Sequence, residues 1–330
     1  MKYLILPDLH LELTWDGLNR SNDVWDFLTS IIPEAKLADR IIWLGDIFDN
    51  PVVSHSIIAN FMAVLSKFPN KNIILRGNHD GIFETKRGSP LEEIDVSHLA
   101  KVVDKPTIID GMLFLPYMEY AKVEPIQGNF KWGFSHLDIA EAIPGMEAEI
   151  SRSSKCQLPD WAYKSCEKII SGHIHKPQTV RNGQVIILGS VIKVSTTEAN
   201  DQKVYGILDT DTNILELKPI ATRNIRDYKV TYDELFNPAS LVVDPTDIVS
   251  VKLTVPHHLA HKFDFRALEK RLRDSCYHLR YEVDVVKEKF IRHKNVNVNA
   301  TDLDIFSAYV MSQGVQNPEA IIEEFKKVIE

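Results

Sequence analysis

Five times in its first 175 residues the chain passes from a short apolar, β-rich run straight into a side chain that can bind a metal ion. Residues 3–6 lead into Asp8 and His10, residues 41–44 into Gly45 and Asp46, and residues 73–75 into Asn78 and His79. Residues 132–134 then lead into His136, and residues 169–170 into His173 and His175. Runs this short and this apolar suit strands buried on both faces in the middle of a layered structure. Between them, residues 24–32 and 56–68 repeat their apolar side chains at helical spacing. The alternation predicts an α/β architecture in which the strand ends gather chemistry along one edge.

Composition sets the outer limits. At 330 residues with 44% hydrophobic side chains the chain can bury a large core, and two domains are the natural first expectation. No apolar run approaches the ~18 residues of a membrane span, and the N-terminal run stops at Pro7 and Asp8, too short for a secretory signal. Three scattered cysteines suit a reducing compartment, so the expectation is a soluble cytoplasmic protein. The net charge of −8 argues at first sight against nucleic acid. The deficit lies wholly in residues 1–217, with 21 Lys+Arg against 29 Asp+Glu, while residues 218–330 carry 17 of each. Carboxylates that hold divalent ions would reverse the local field, so net charge does not exclude a phosphate-bearing partner.

Beyond His175, residues 185–188, 204–208 and 214–219 read as strands that complete the sheets. From about residue 225 the character changes: strand candidates at 248–255 and 278–286 enclose a charged amphipathic helix at 264–276, a small α+β unit. After a linker at 295–300, Thr301 with Asp304 opens one helix and Asn317 with Pro318 opens another. The expected domains are therefore 1–222, 223–295 and 296–330. The apolar set Ile305, Phe306, Tyr309, Val310, Ile321 and Phe325 exceeds what a two-helix hairpin buries within itself. It must dock on a partner or on its own domain.

The blocks Asp8-Leu9-His10, Gly45-Asp46-Ile47-Phe48-Asp49, Gly77-Asn78-His79-Asp80 and Gly172-His173-Ile174-His175 stand in this order along the chain. Together they resemble the signature of the calcineurin-like metallophosphoesterases, over about residues 1–215. The resemblance implies two stacked mixed β-sheets flanked by helices, a capping domain, and two divalent cations. Asp8, His10, Asp46 and His175 would hold one ion, and Asp46, Asn78, His136 and His173 the other, with Asp46 as the bridge. Asp8 and His10 are two apart, which on extended backbone aims both the same way, and His173 and His175 are spaced likewise. His136 departs from the pattern, lying in Phe134-Ser135-His136-Leu137 where a Gly-His pair is commoner. His79 resembles the histidine that assists the leaving oxygen, with Asp80 orienting its ring. Gly45, Gly77 and Gly172 would permit tight turns beneath the metals. Imidazole and carboxylate ligands suit manganese, iron or zinc, with magnesium also possible, and the nuclease branch implies manganese.

Gly45-Asp46-Ile47-Phe48-Asp49 with the early Asp8-Leu9-His10 looks most like the SbcD branch, nuclease subunits of SbcCD-type repair and recombination complexes, and like phage recombination endonuclease subunits. That likeness implies DNA as substrate, a homodimer through the nuclease domain, and a coiled-coil ATPase of SbcC type gripped by the C-terminal hairpin. The chain has no Walker-type Gly-x-x-x-x-Gly-Lys-Ser/Thr run, so ATP would be bound by the partner. Arg266, Lys270 and Arg273 on the charged helix, with Lys86 and Arg87 in a loop, are the candidate DNA contacts. A phosphatase or small-molecule phosphodiesterase on the same scaffold is the alternative, and a non-catalytic scaffold that recruits an ATPase is a further one.

Overall fold

The computed structural model describes residues 1–68, 71–81, 89–120, 123–143, 155–236, 241–262, 264–286 and 301–329. Lys86, Arg87 and the expected linker at 295–300 lie outside the described residues. Two six-stranded mixed sheets carry most of the chain. In the first, Lys2–Leu6 runs parallel to Arg40–Trp43, and Asn72–Leu75 and Ala100–Val103 continue in parallel. On its other side Lys2–Leu6 is antiparallel to Val204–Asp209, and Ile214–Pro219 forms that edge. In the second sheet Cys166–Ser171 lies parallel to both Val185–Ile187 and Phe130–Ser135, and Met112–Leu115 extends the parallel set. Antiparallel strands Gln178–Val180 and Thr107–Ile109 form its two edges.

The period-two alternation of strand side chains sorts the apolar residues into layers. Tyr3, Ile5, Ile42 and Ile73 pack with Phe114, Trp132, Phe134 and Ile170 between the sheets. Leu4, Leu6, Ile41, Trp43 and Ile74 turn the other way, onto Val24, Phe27 and Leu28 of helix Ser21–Ser30 and onto Ile58, Phe61 and Leu65 of helix His55–Leu65. The far face of the second sheet, through Leu113, Leu115, Ile169 and Val185, covers Tyr120, Leu158 and, on helix Asp160–Ser165, Ala162. Helix, sheet, sheet and helix are thus stacked. The α/β class is the one the alternation of runs predicts, and the paired mixed sheets are those the family resemblance implies.

Local chemistry explains where elements end. The helix expected over 24–32 breaks into Ser21–Ser30 and Ile32–Leu37, because Pro33 has no N–H to carry the first helix onward. The helix expected over 56–68 stops at Leu65, where the buried Asn72 Nδ2 donates to the carbonyls of Leu65 (3.2 Å) and Phe68 (3.0 Å). A third sheet orders Ile225–Thr231, Ile248–Pro256 and His278–Val286. Helix Phe265–Arg273 buries Leu268 and Leu272, one turn apart, and leaves Arg266, Lys270 and Arg273 exposed.

The chain divides into two compact units, Met1–Leu253 with Phe265–Glu282, and Thr254–Asp264 with Val283–Glu330. The second unit contains the helical hairpin Asp302–Ser312 and Pro318–Ile329. Thr301 Oγ1 accepts the Asp304 N–H at 3.3 Å while Asp304 Oδ2 accepts the Thr301 N–H at 2.8 Å, a reciprocal cap that starts the first helix. Phe306 stacks on Phe325 with ring centroids 3.8 Å apart, whereas Ile305 and Tyr309 remain 50% and 54% exposed. Among the described residues no helix is long and apolar enough to cross a membrane.

Phe134 is fully buried between the sheets and stacks on Phe114 at 4.8 Å. Phe134→Ala is expected to lower stability by about 3–5 kcal/mol in urea denaturation, from lost apolar burial plus the cavity left behind. Val96→Ala, at a site 77% exposed, should change it by less than about 0.5 kcal/mol.

Candidate metal centre

All seven side chains nominated as ligands sit just past the ends of parallel strands, and the structure brings them together. The strand ladder continues into the ligand segments: the N–H groups of Leu9 and His10 both donate to Asp46 O at 3.0 Å, and the His136 N–H donates to Leu115 O at 3.1 Å. Asp8, His10, Asp46, His136 and His175 are buried, and Asn78 and His173 are partly so. Their ligand-type atoms fall into overlapping groups, Asp8 with His10 and His175, and Asp46 with His136 and His173, each within 4.8 Å. A third group joins His10, Asp46 and His79.

The backbone beneath them is strained. His10, Asp46 and His173 hold φ of 49°, 45° and 74°. Non-glycine residues there cost about 1–3 kcal/mol each and cluster where function over-determines the geometry. The expectation that Asp8 and His10 share a direction because the chain is extended is therefore corrected: a left-handed turn at His10 aims its ring. Gly45, at φ 111°, turns in the same way, and a Cβ there would strike the His136 ring. Gly77 and Gly172 need no unusual φ. They are glycines for closeness, since a Cβ at Gly77 would run into Asp46 and one at Gly172 into Asp8.

Hydrogen bonds decide which lone pairs are offered. Asp46 Oδ1 accepts the His79 N–H at 2.9 Å, leaving Oδ2 to face His136 Nε2 at 3.2 Å and His10 Nε2 at 3.8 Å. One oxygen thus addresses both ligand groups. Asp8 Oδ2 accepts the His173 N–H at 2.8 Å. His136 Nδ1 meets Leu44 O at 2.7 Å, which makes Nδ1 the protonated nitrogen and turns Nε2 toward Asp46 and, at 3.1 Å, Asn78 Oδ1. His173 presents Nδ1 to the same Asn78 oxygen at 2.8 Å. His10 Nε2 and His175 Nε2 face each other at only 2.9 Å. Ring nitrogens and oxygens gathered this closely could exchange their shared protons for a cation, and the donor set of imidazole, carboxylate and amide oxygen suits a divalent one.

Charge follows from the same packing. Burial pushes the His10 imidazole pKa down, assisted by His175 and opposed by Asp49. Burial also opposes ionisation of Asp46, but His136, His10 and His79 outweigh it and hold the carboxyl well below the usual carboxylate range. For His136 burial disfavours the charge, yet Asp46 and Asp8 prevail and raise its pKa to about 10. A cation bound at His136 Nε2 therefore displaces a proton.

The role expected of Asp80 is corrected. Its carboxylate is spent on backbone, accepting the N–H groups of Ile47 (2.9 Å), Phe48 (3.2 Å) and Gly77 (2.9 Å), so it braces the loops around Asp46. Burial and the charge of Asp46 raise its pKa to about 6. The His79 ring is oriented instead by Asp49, whose backbone oxygen lies 2.6 Å from His79 Nδ1. Two carboxylates that sequence reasoning passed over hold ligand rings. Asp49 Oδ1 lies 3.2 Å from His10 Nδ1, and Asp138 Oδ1 lies 2.9 Å from His173 Nε2. Each fixes a ring so that its other nitrogen faces the centre. Their only signal in the sequence is proximity, Asp49 three residues after Asp46 and Asp138 two after His136. Of the DNA-contact candidates, Arg273 pairs with Glu269 at 2.9 Å, and Arg266 and Lys270 are exposed on the same helix.

Comparison with known proteins gives three findings. A profile of the calcineurin-like phosphoesterase family matches residues 1–177. The chain is 22% identical over 305 residues to the SbcD component of the nuclease SbcCD from Staphylococcus epidermidis, covering 78% of this chain and 80% of that protein. A solved structure described as a novel archaeal phosphodiesterase aligns with 67% of this chain and all of its own, at 18% identity and a TM-score of 0.36.

Asp49→Asn and Asp138→Asn are each expected to weaken divalent-metal binding, probed with manganese chloride, by about 10–100-fold. Calorimetric titration of the metal-free chain checks this, and unchanged affinities would remove both carboxylates from the site.

Proposed function

The chain belongs to the calcineurin-like phosphoesterase family, and we propose that within it the chain is a DNA phosphodiesterase, the nuclease subunit of an SbcCD-type complex serving recombination or repair. Its family uses divalent metal ions, and the observation that carries the reading is the single Asp46 oxygen facing two groups of ligand nitrogens beside His79. Likeness to an SbcCD nuclease component along most of both chains supports DNA as the substrate in this reading.

Asp8, His10, Asp46 and His175 would hold one cation, and Asp46, Asn78, His136 and His173 the other. When bound, such a pair, manganese in this reading, supplies an activated water and neutralises charge that grows on the phosphate. The remaining work falls to the protein. His79 is held through Nδ1 by the Asp49 carbonyl, which keeps a proton on that nitrogen, so that the ring in its imidazolium form can give its Nε2 proton to the departing sugar oxygen and remain neutral with Nδ1 protonated. Asp80, by gripping three N–H groups, keeps the Asp46 loop and the Gly77 turn in register. Asp49 and Asp138 keep two rings from rotating.

DNA contact is assigned to Arg266, Lys270 and Arg273 and to Lys86 and Arg87. Attachment of an SbcC-type ATPase is assigned to the helical hairpin, whose apolar Ile305, Tyr309 and Ile321 are exposed. The nuclease domain is assigned to homodimerisation.

Purified chain with manganese should degrade end-labelled duplex DNA far faster than it hydrolyses phosphoserine, and an SbcC-type ATPase should make cleavage respond to ATP. His79→Ser should slow cleavage by about 10²–10⁴-fold while both ions still bind. Preference for phosphoserine, or full cleavage by His79→Ser, would overturn the assignment.

A further inference from the structure

Beside His175 the protein buries an ion pair that none of the steps above employs. Lys203 and Glu198 are both fully buried, with Lys203 Nζ 2.6 Å from Glu198 Oε2. Such a pair adds little stability, because loss of hydration offsets the attraction. Its partners suggest a different use. Nζ has three hydrogens and three acceptors: Glu198, the His175 backbone oxygen at 2.7 Å and Ser190 Oγ at 3.0 Å. Ser190 donates its own hydrogen to Ile192 O at 2.8 Å, so Lys203 meets its lone pair. Glu198 Oε2 accepts the Val194 N–H at 3.3 Å, and Oε1 stands 3.9 Å from His175 Nδ1.

The segment around Ser190 is also the backbone partner of Asp8. The Asp8 N–H donates to Gly189 O at 3.3 Å and the Val191 N–H donates to Asp8 O at 2.9 Å. Gly189, at φ 85°, lies so near the His175 carbonyl that a Cβ there would come within 2.5 Å of it. One buried ammonium therefore fastens the loop carrying His175 to the segment that fixes Asp8. These are two of the three members of one ligand group. The other group is braced differently, His136 by Leu44 O and His173 by Asp138.

We propose that Lys203 and Glu198 are positioning residues for the Asp8–His10–His175 cation alone, setting the affinity of one ion of the two. This rests on the two-cation reading given above. Lys203 holds the two ligand segments at a fixed separation before any ion arrives, so the site does not have to be assembled by the ion.

The test is a titration of the metal-free, full-length chain with manganese chloride, followed by calorimetry and by the electron paramagnetic resonance signal of the coupled ion pair. Wild type is compared with Lys203→Met/Glu198→Gln, which keeps side-chain size and net charge. Wild type should take two ions. The variant should hold one ion within about twofold of the wild-type affinity and the other about tenfold or more weaker, with the coupled signal displaced to higher manganese. Two affinities unchanged, or both reduced alike as a general loosening of the fold would do, overturns the proposal. If circular dichroism shows the double variant unfolded, Ser190→Ala decides in the same titration: selective weakening of one ion supports the proposal, and any other result overturns it. A wild-type chain that takes a single ion defeats the two-cation reading itself, and this inference with it.

Discussion

A buried carboxylate that shows one oxygen to two sets of imidazole nitrogens is the constraint around which the rest of this protein is arranged. Asp46 is 1% exposed, and the His79 N–H occupies its other oxygen. Left to itself such an assembly is costly, because it concentrates acceptors where water cannot solvate them. The surroundings supply part of the compensation by charging His136, whose pKa rises to about 10 under Asp46 and Asp8. The remainder is structural: left-handed backbone at His10, Asp46 and His173, and glycines where any side chain would invade the centre. A divalent pair would satisfy all these lone pairs at once, which gives the strain a purpose.

Much of this was legible in the sequence, for a physical reason. A strand covered on both faces is a short apolar run, and a ligand at its end is the next polar residue. The two signals therefore sit side by side at Asp8, Asp46, Asn78, His136 and His173. Local caps were equally readable, as at Thr301 and Asp304. Contacts between distant segments were not. Asp138 acts on His173 and Asp49 on His10, 35 and 39 residues away in sequence, and Lys203 reaches back 28 residues to His175. Asp80 shows the converse error. Adjacent to His79 in sequence, it points instead into the backbone of Ile47 and Phe48 and back onto Gly77 of its own loop. The antiparallel edge Thr107–Ile109 with Met112–Leu115 also escaped, since three- and four-residue strands joined through Asp110 and Gly111 carry little periodicity.

The acidic balance of the chain agrees with this arrangement. The excess of carboxylates lies in residues 1–217, which contain the candidate metal centre and its bracing, and not in the charged helix Phe265–Arg273. A fold of this kind hosts several phosphoester chemistries, so the metal centre alone does not choose among them. In the reading offered here, the choice of DNA comes from surfaces outside the centre, and the link to ATP comes through the exposed apolar side chains of the hairpin.

The most direct test is crystallographic: anomalous scattering at the manganese edge from crystals soaked in manganese chloride. Two peaks about 3.5–4 Å apart, each in contact with the same Asp46 carboxylate, are the predicted result. A single peak at saturating metal, or a pair that leaves Asp46 untouched, would contradict it.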